Sequence, residues 1–241
     1  MKIGVISDIH NNVVALEAVL DKFAAENCDK IICAGDIIGI GPYPEETVQR
    51  IMEVPNLIAV RGNHEKYLTE GLPSQIPNSE FMEQEEMEHH KWEHIRLSKS
   101  SKNFLEKLPC SIDLNIAGKN ISVMHYFTND KNQYIYTPNP TKKDLTNLFP
   151  SENQDIIIYG HDHTPNIVNT NGKWFINSGA LGCPGNEKNI ARAAILEIRD
   201  NGDTYVKGIK AEYDVLKVIE DIERLKYPDY EKIECFFYGI H

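Results

Sequence analysis

Three short apolar runs, Lys2 to Ser7, Lys30 to Ala34 and Leu57 to Val60, each break off into polar residues. Continuous runs rich in β-branched residues are what a strand buried on both faces requires. The first stops at Asp8-Ile9-His10, the second at Gly35-Asp36 and the third at Arg61-Gly62-Asn63-His64-Glu65. After the first, Asn11 and Asn12 supply turn and N-cap chemistry for a helix with apolar positions Val13, Leu16, Val19, Leu20 and Phe23. After the second come Gly39-Ile40-Gly41-Pro42-Tyr43-Pro44 and a helix from Glu45 to Met52. Strands alternating with helices imply right-handed parallel crossovers. The polar residues then fall beyond the carboxyl ends of the strands, where open α/β sheets bind ligands.

A fourth apolar run, Ile156 to Tyr159, ends in Gly160-His161-Asp162-His163. From an extended backbone the two imidazoles at i and i+2 point the same way, a spacing suited to a metal ion. Alone it is weak evidence, and its weight comes from repetition elsewhere. Ser111 to Ala117 and Asn120 to His125 read as a hairpin around Gly118-Lys119 that delivers His125 at its end. Tyr126 to Gln154, with Pro138, Pro140 and Pro150, reads as a loop with a short helix at 141–149. A second hairpin joins 166–170 to 173–177 through Asn171-Gly172. A glycine-rich loop follows at 177–185, then an antiparallel pair at 191–198 and 204–211 and a helix from Val215 to Lys226. The tail Cys235-Phe236-Phe237-Tyr238 is apolar enough to pack back on the body.

Between Lys66 and Pro109 the chain turns polar, with a charged run from Glu80 to Lys107 that predicts one or two helices. We read 66–109 as a helical insertion, a cap near the site, within a single domain spanning 1–241. His89, His90 and His94 sit among Glu and Lys, where a solvated helix face is the ordinary reading; Trp92 anchors the insertion to the body.

The 241 residues suffice for one α/β domain with a sizeable core. A formal charge of −11, from 36 acidic against 25 basic side chains, repels polyanions and argues against a nucleic-acid partner. The five cysteines, odd in number and without a C-x-x-C pair, read as reduced thiols of a cytoplasmic protein. No run is long and apolar enough for a membrane span, and Met1-Lys2 leads into a strand without a signal-peptide pattern.

Asp8, His10, Asp36, Asn63, His125, His161 and His163 thus all stand at ends of predicted strands. Oxygen and nitrogen donors without a thiolate suit Mn²⁺, iron, Zn²⁺ or Co²⁺. Seven are too many for one ion and right for two that share a bridge. With these residues in place the chain resembles the calcineurin-like metallophosphoesterase family. The family blocks occur in order as Asp8-Ile9-His10, Gly35-Asp36-Ile37-Ile38-Gly39, Gly62-Asn63-His64-Glu65, His125 and Gly160-His161-Asp162-His163. The resemblance implies an α/β fold of two packed mixed β-sheets flanked by helices, a four-layer α-β-β-α sandwich with the insertion over the active site. It also implies that Asp8, His10, Asp36 and His163 hold one metal, and that Asp36, Asn63, His125 and His161 hold the other, with Asp36 bridging.

The Gly39 to Pro44 loop, the insertion with Trp92 and the glycine-rich loop ending near Arg192 are similar to the bacterial branch of small phosphodiesterases and dinucleoside-polyphosphate hydrolases. Asn11, Glu65, Tyr126 and Asn177-Ser178-Gly179-Ala180 depart from the usual Gly, Asp, Gly and Asn-Pro-Gly-Ser. None of these removes a ligand, but Tyr126 and the 177–185 loop are expected at the rim, where they bear on substrate preference.

Two divalent ions against two carboxylates make a cationic pocket in an acidic protein, able to hold a phosphate. The expected activity is hydrolysis of small phosphodiesters, nucleotides or phosphomonoesters by a hydroxide bridging the metals, with His64 as proton donor to the leaving oxygen. Arg61, Lys66 and Arg192 are candidate phosphate clamps, with an ordinary surface role the simpler reading of each. A serine/threonine protein phosphatase shares such a site but has an open groove, which the insertion argues against. An inactive scaffold, as in a retromer subunit of this family, predicts missing ligands, and here all seven are present with His64. The oligomeric state is not legible in the sequence.

Overall fold

A computed structural model of the chain describes residues 1–77, 82–130, 133–149 and 153–239. Glu80, where the charged run was expected to begin, and Pro150 lie outside the described residues. The strands are β1 (Lys2–Ile6), β2 (Lys30–Cys33), β3 (Leu57–Ala59), β4 (Ser111–Ile116), β5 (Lys119–Met124), β6 (Ile156–Tyr159), β7 (Asn166–Thr170), β8 (Lys173–Asn177), β9 (Ile190–Ile198) and β10 (Thr204–Glu212). They form two five-stranded mixed sheets, ordered β10-β9-β1-β2-β3 and β4-β5-β6-β8-β7. β1, β2 and β3 are parallel, as the crossover argument requires, and β9 joins them antiparallel to β1. In the second sheet β6 lies parallel to both β5 and β8.

Side-chain alternation sorts the strands into layers. Along β6, Ile156 and Ile158 point inward with Ile3, Val5, Ile32, Val123, Ile176 and Leu196, the apolar seam between the sheets. Ile157 and Tyr159 point outward to Leu145 and Phe149 on and just after α6 (Lys142–Leu148). The outer face of the first sheet is covered by α1 (Val13–Ala25), α2 (Pro44–Met52), α5 (Lys99–Glu106) and α7 (Val215–Arg224), which share one cluster. This is the four-layer α-β-β-α sandwich. Each fully buried Ile or Val contributes roughly 1.5–3 kcal/mol, so the central seam fixes how the two sheets, and the strand ends they carry, sit against each other.

The expected local signals operate. Asn12 caps α1 by accepting from the Ala15 N–H. Asn171 and Gly172, with φ of 53° and 84°, make the tight turn between β7 and β8. The structure adds α3 (Asn63–Thr69), which begins at a residue the sequence reading left in a loop, and α4 (Gln84–His94) and α5 divide the charged run. Leu97 and Leu105 belong to the main core, and Trp92 packs on Tyr227 with ring centroids 4.9 Å apart, so α4 and α5 are rooted in the body. In the tail Tyr238 is buried but Phe236 is 77% exposed, so packing back is only partial.

Tyr43 and α7 are tied by Asp221, which accepts from the Tyr43 hydroxyl at 2.6 Å, Arg224 Nη2 at 2.6 Å and Lys217 Nζ at 3.0 Å. These bonds, the Tyr43 one foremost, hold the carboxyl well below its usual range. A depressed carboxyl stabilises the fold above its unfolded pKa of about 3.9 and loses that contribution as pH falls below it. Asp221→Asn should therefore lower the urea midpoint at pH 7 by more than at pH 3. An equal deficit at both would show that the charge is irrelevant there.

Candidate active site

Each of the seven predicted site residues stands where a strand has just ended, and the structure brings all seven together. Asp8 and His10 follow β1, Asp36 follows β2, Asn63 opens α3 after β3, His125 follows β5, and His161 and His163 follow β6. The two sheets thus contribute from adjacent edges. Asp8, His10, Asp36, His161 and His163 all have φ between 49° and 73°. Left-handed backbone is costly for residues with a Cβ and collects where function needs it. Close approach is enforced by glycine: a Cβ on Gly62 would strike Asp36 Oδ1, and one on Gly160 would strike Ser7 Oγ.

The side chains form two groups joined at Asp36. In the first, His10 Nε2 lies 3.0 Å from His163 Nε2, and Asp8 Oδ1 lies 3.5 Å from His163 Nε2 and 3.8 Å from His10 Nε2. In the second, His125 Nε2 lies 3.1 Å from both Asp36 Oδ2 and Asn63 Oδ1, and His161 Nδ1 lies 3.0 Å from Asn63 Oδ1 and 3.2 Å from His125 Nε2. His125 Nδ1 lies 2.8 Å from the Ala34 carbonyl, which takes the hydrogen of the neutral ring and turns Nε2 toward Asp36 and Asn63. Burial lowers this imidazole, but the Asp36 carboxylate outweighs it and pushes the ring up to about 9, a demand for positive charge at Nε2 that a cation would meet. Acceptors converging on one point repel unless a cation lies between them. Two donors held at right angles about 2.1 Å from one ion would sit about 3 Å apart, which these spacings match.

At His10 and His161 protonation favours the same conclusion. Burial holds His10 well below its usual value and His161 down to about 3, with His163 and His125 respectively adding to the effect. A neutral imidazole is the form that binds metal. Burial raises Asp8. It would raise Asp36 too, but positive charge on His125, which Asp36 itself favours, outweighs burial with His64 adding to it and keeps that carboxyl ionised. Access is from the side of Asn63, His161 and His163, which are only partly buried.

His64 Nε2 stands 3.9 Å from Asp36 Oδ2, and the His64 amide donates to Asp36 Oδ1 at 3.1 Å. Asp162, between two site histidines, faces away: it accepts from the Tyr136 hydroxyl at 2.8 Å. Arg61 is engaged by Cys110, Thr69 and Glu70, and Arg192 by Glu187. Arg61 and Lys66 nonetheless line a cavity of about 250 Å³ beside Gly62, with Met124, Phe127 and Tyr134.

Other residues take places the sequence reading did not foresee. Glu65, fully buried, accepts from the amides of Asp36 and Gly62 with one oxygen and of Ile37 and Ile38 with the other, at 2.7–3.0 Å. Burial pushes its carboxyl up to about 7, with Asp36 adding to it, against the pull of those N–H groups. The spacing from Gly62 to Glu65 is half a capping box and was the available signal. The solvated-face reading of α4 is overturned: His89, His90 and Glu93 are buried, because Glu93 accepts from Asn11 Nδ2 at 2.7 Å and the Gly39 N–H at 2.8 Å. The rim expectation holds for Tyr126, which lines the cavity beside Gly62, and not for the 177–184 backbone. Tyr126 is buried, its ring 5.3 Å from that of His161, and residues 177–184 are buried, with the Leu181 and Gly182 amides donating to the Asp8 carbonyl. Tyr134, stacked on His161, and the exposed Tyr136 stand by that imidazole too. Cys183 approaches His10 and His163, and burial keeps its thiol protonated.

A family profile for the calcineurin-like phosphoesterase superfamily domain matches residues 1–201. The chain is 30% identical, over 249 aligned positions covering 95% of it and 94% of the relative, to the uncharacterized protein MJ0912 of Methanocaldococcus jannaschii. It is 36% identical to the Escherichia coli phosphodiesterase YfcE over 72 residues, 26% of this chain and 39% of that one. Among solved structures, a metallophosphoesterase from Sphaerobacter thermophilus superposes with a TM-score of 0.76 at 25% identity, covering 99% of this chain and 98% of that one. The hypothetical protein PH1004 from Pyrococcus horikoshii shares the fold, with a TM-score of 0.82 at 20% identity over 98% and 97% of the two chains. The match over most of the length, with every family block at a strand end of the shared fold, means that the chain belongs to the calcineurin-like phosphoesterase superfamily.

Proposed function

We propose that the protein is a metal-dependent phosphoesterase of small phosphodiesters, nucleotides or phosphomonoesters. The observation that carries this reading is the pair of donor groups joined at Asp36. Asp8, His10, Asp36 and His163 would hold one divalent cation, and Asp36, Asn63, His125 and His161 a second. Bound there, such cations neutralise phosphoryl oxygens and make water nucleophilic at neutral pH.

The chain's own residues do the rest. Glu65 fixes the 36–38 backbone and hence the Asp36 carboxylate. His125 is oriented by the Ala34 carbonyl. His64, beside Asp36 and pressed on the Gly39 backbone, is placed to give a proton from Nε2 to the leaving oxygen. The cavity beside Gly62 combines Arg61 and Lys66 with Phe127 and Tyr134, a lining suited to a phosphate ester with a flat leaving group. α4 flanks His64 through His90, whose ring lies 5.0 Å away, and so supports a site closed to a folded protein substrate on that side.

The test compares leaving groups. General acid help matters in proportion to how poor the leaving group is, and is worth about 10²–10⁴-fold. His64→Gln should slow hydrolysis of a nucleoside diester by about that factor, and of a nitrophenyl ester of equal charge only slightly, with bound metal near wild type. Equal slowing of both, with metal retained, would remove the proton-donor role.

A further inference from the structure

Beyond the seven-residue centre, on the far side of His64, lies a second group of metal-ligating side chains. His64, Glu86 and His90 present donor atoms within 4.8 Å of one another. His90 and His64 are 1% and 6% exposed, their rings 5.0 Å apart. His90 Nδ1 lies 2.8 Å from Glu93 Oε1, so the neutral ring keeps its hydrogen on that carboxylate and offers the Nε2 lone pair. Burial lowers the ring, but Glu86 and Glu93 outweigh it and push it up to about 9, so a cation at Nε2 would displace a proton there. Nε2 faces Glu86 Oε1 at 3.8 Å, too far for a hydrogen bond, and is buried with no partner among the described residues. His64 is in the same position. Its Nε2 is on the Asp36 side, and its Nδ1 is buried without a partner.

We propose that His64, Glu86 and His90 form a further cation site, distinct from the centre built on Asp36, that takes one divalent transition ion such as Zn²⁺ or Co²⁺. Two imidazoles and a carboxylate are a donor set for such ions, and three protein ligands leave a position for water. The support around the site is of the kind metal sites have. Glu93 accepts from His90 Nδ1 with one oxygen and from Asn11 and the Gly39 amide with the other, so ring and carboxylate are both fixed. The Tyr67 ring packs edge-on against His90, 5.0 Å away. Glu86, its side chain 36% exposed, opens the site to solvent. His94 Nε2 is turned to Glu93 Oε1 at 3.6 Å rather than to Glu86. A cation on Nδ1 of His64 leaves that ring's hydrogen on Nε2, toward Asp36, a consequence that rests on the proton-donor reading above.

The test is a metal count on the full-length protein after equilibrium dialysis against Co²⁺, with three variants. Wild type should bind one ion more per chain than Glu86→Gln or His90→Gln, and its visible spectrum should lose one component in both. Circular dichroism checks that the variants remain folded, and Glu86→Gln alters a half-exposed position. Asp36→Asn should lower binding at the other centre and keep the component that Glu86→Gln removes, so failure of the two-ion reading shows separately. The same count and spectrum in wild type, Glu86→Gln and His90→Gln would overturn the proposal and leave His90 as an imidazolium paired with Glu86 and Glu93.

Discussion

Asp36→Ala should abolish hydrolysis, by roughly 10³-fold or more, and reduce bound metal, because it removes the one carboxylate that both donor groups share. The neighbouring control is Asp162→Asn. Asp162 lies between His161 and His163 in sequence, yet its oxygens accept from the Tyr136 hydroxyl and the Asn139 amide, and an Asn keeps one of those acceptors. Its activity should stay within about twofold of wild type, since a surface substitution away from buried features costs little. The comparison is of kcat/KM on one ester together with metal content. Equal losses in the two variants would contradict the assignment of Asp36 as the shared ligand.

The second large effect is expected at Glu65. Four backbone amides around the Asp36 turn and the start of α3 point at its two oxygens, and the side chain is fully buried. Replacing one oxygen by an amide NH₂ in Glu65→Gln turns a donor toward donors. A hydrogen bond contributes about 0.5–1.5 kcal/mol, or about 1.5–3 when its partner is charged, and the carboxyl is near half ionisation at pH 7, so a loss of about 2 kcal/mol or more is expected. It should register as a lower urea midpoint at unchanged m-value, with metal affinity falling as the Asp36 turn loosens. Wild-type stability in Glu65→Gln would mean that other groups hold this turn.

The site was legible because strand ends are local events. A β-branched run followed by Asp-Ile-His or Gly-Asp announces itself in ten residues, and parallel crossovers bring such ends to one edge. Asp8, Asp36 and His125 were placed on that logic alone. What could not be read depends on contacts distant in sequence. Glu93 sits in a run of Glu, His and Lys that is identical in kind to a solvated helix. Its burial is decided by Asn11 and Gly39, 82 and 54 residues away. The pairing of β9 with β1 is of the same sort, since an antiparallel hairpin at the C-terminal end carries no local mark of the sheet it joins. Nor does a His announce the left-handed backbone that His10 and His163 adopt, which the surrounding strands and glycines impose. The burial of Tyr126 was hidden for a related reason: its distance from His161 depends on how the β5 and β6 ends lie together, not on its place after His125.

The account turns on whether two cations share Asp36. Crystals grown with Mn²⁺ and measured at the manganese edge test this directly. Two anomalous peaks are predicted, one among Asp8, His10, Asp36 and His163 and one among Asp36, Asn63, His125 and His161. A single peak, or peaks that leave Asp36 uncoordinated, would contradict it.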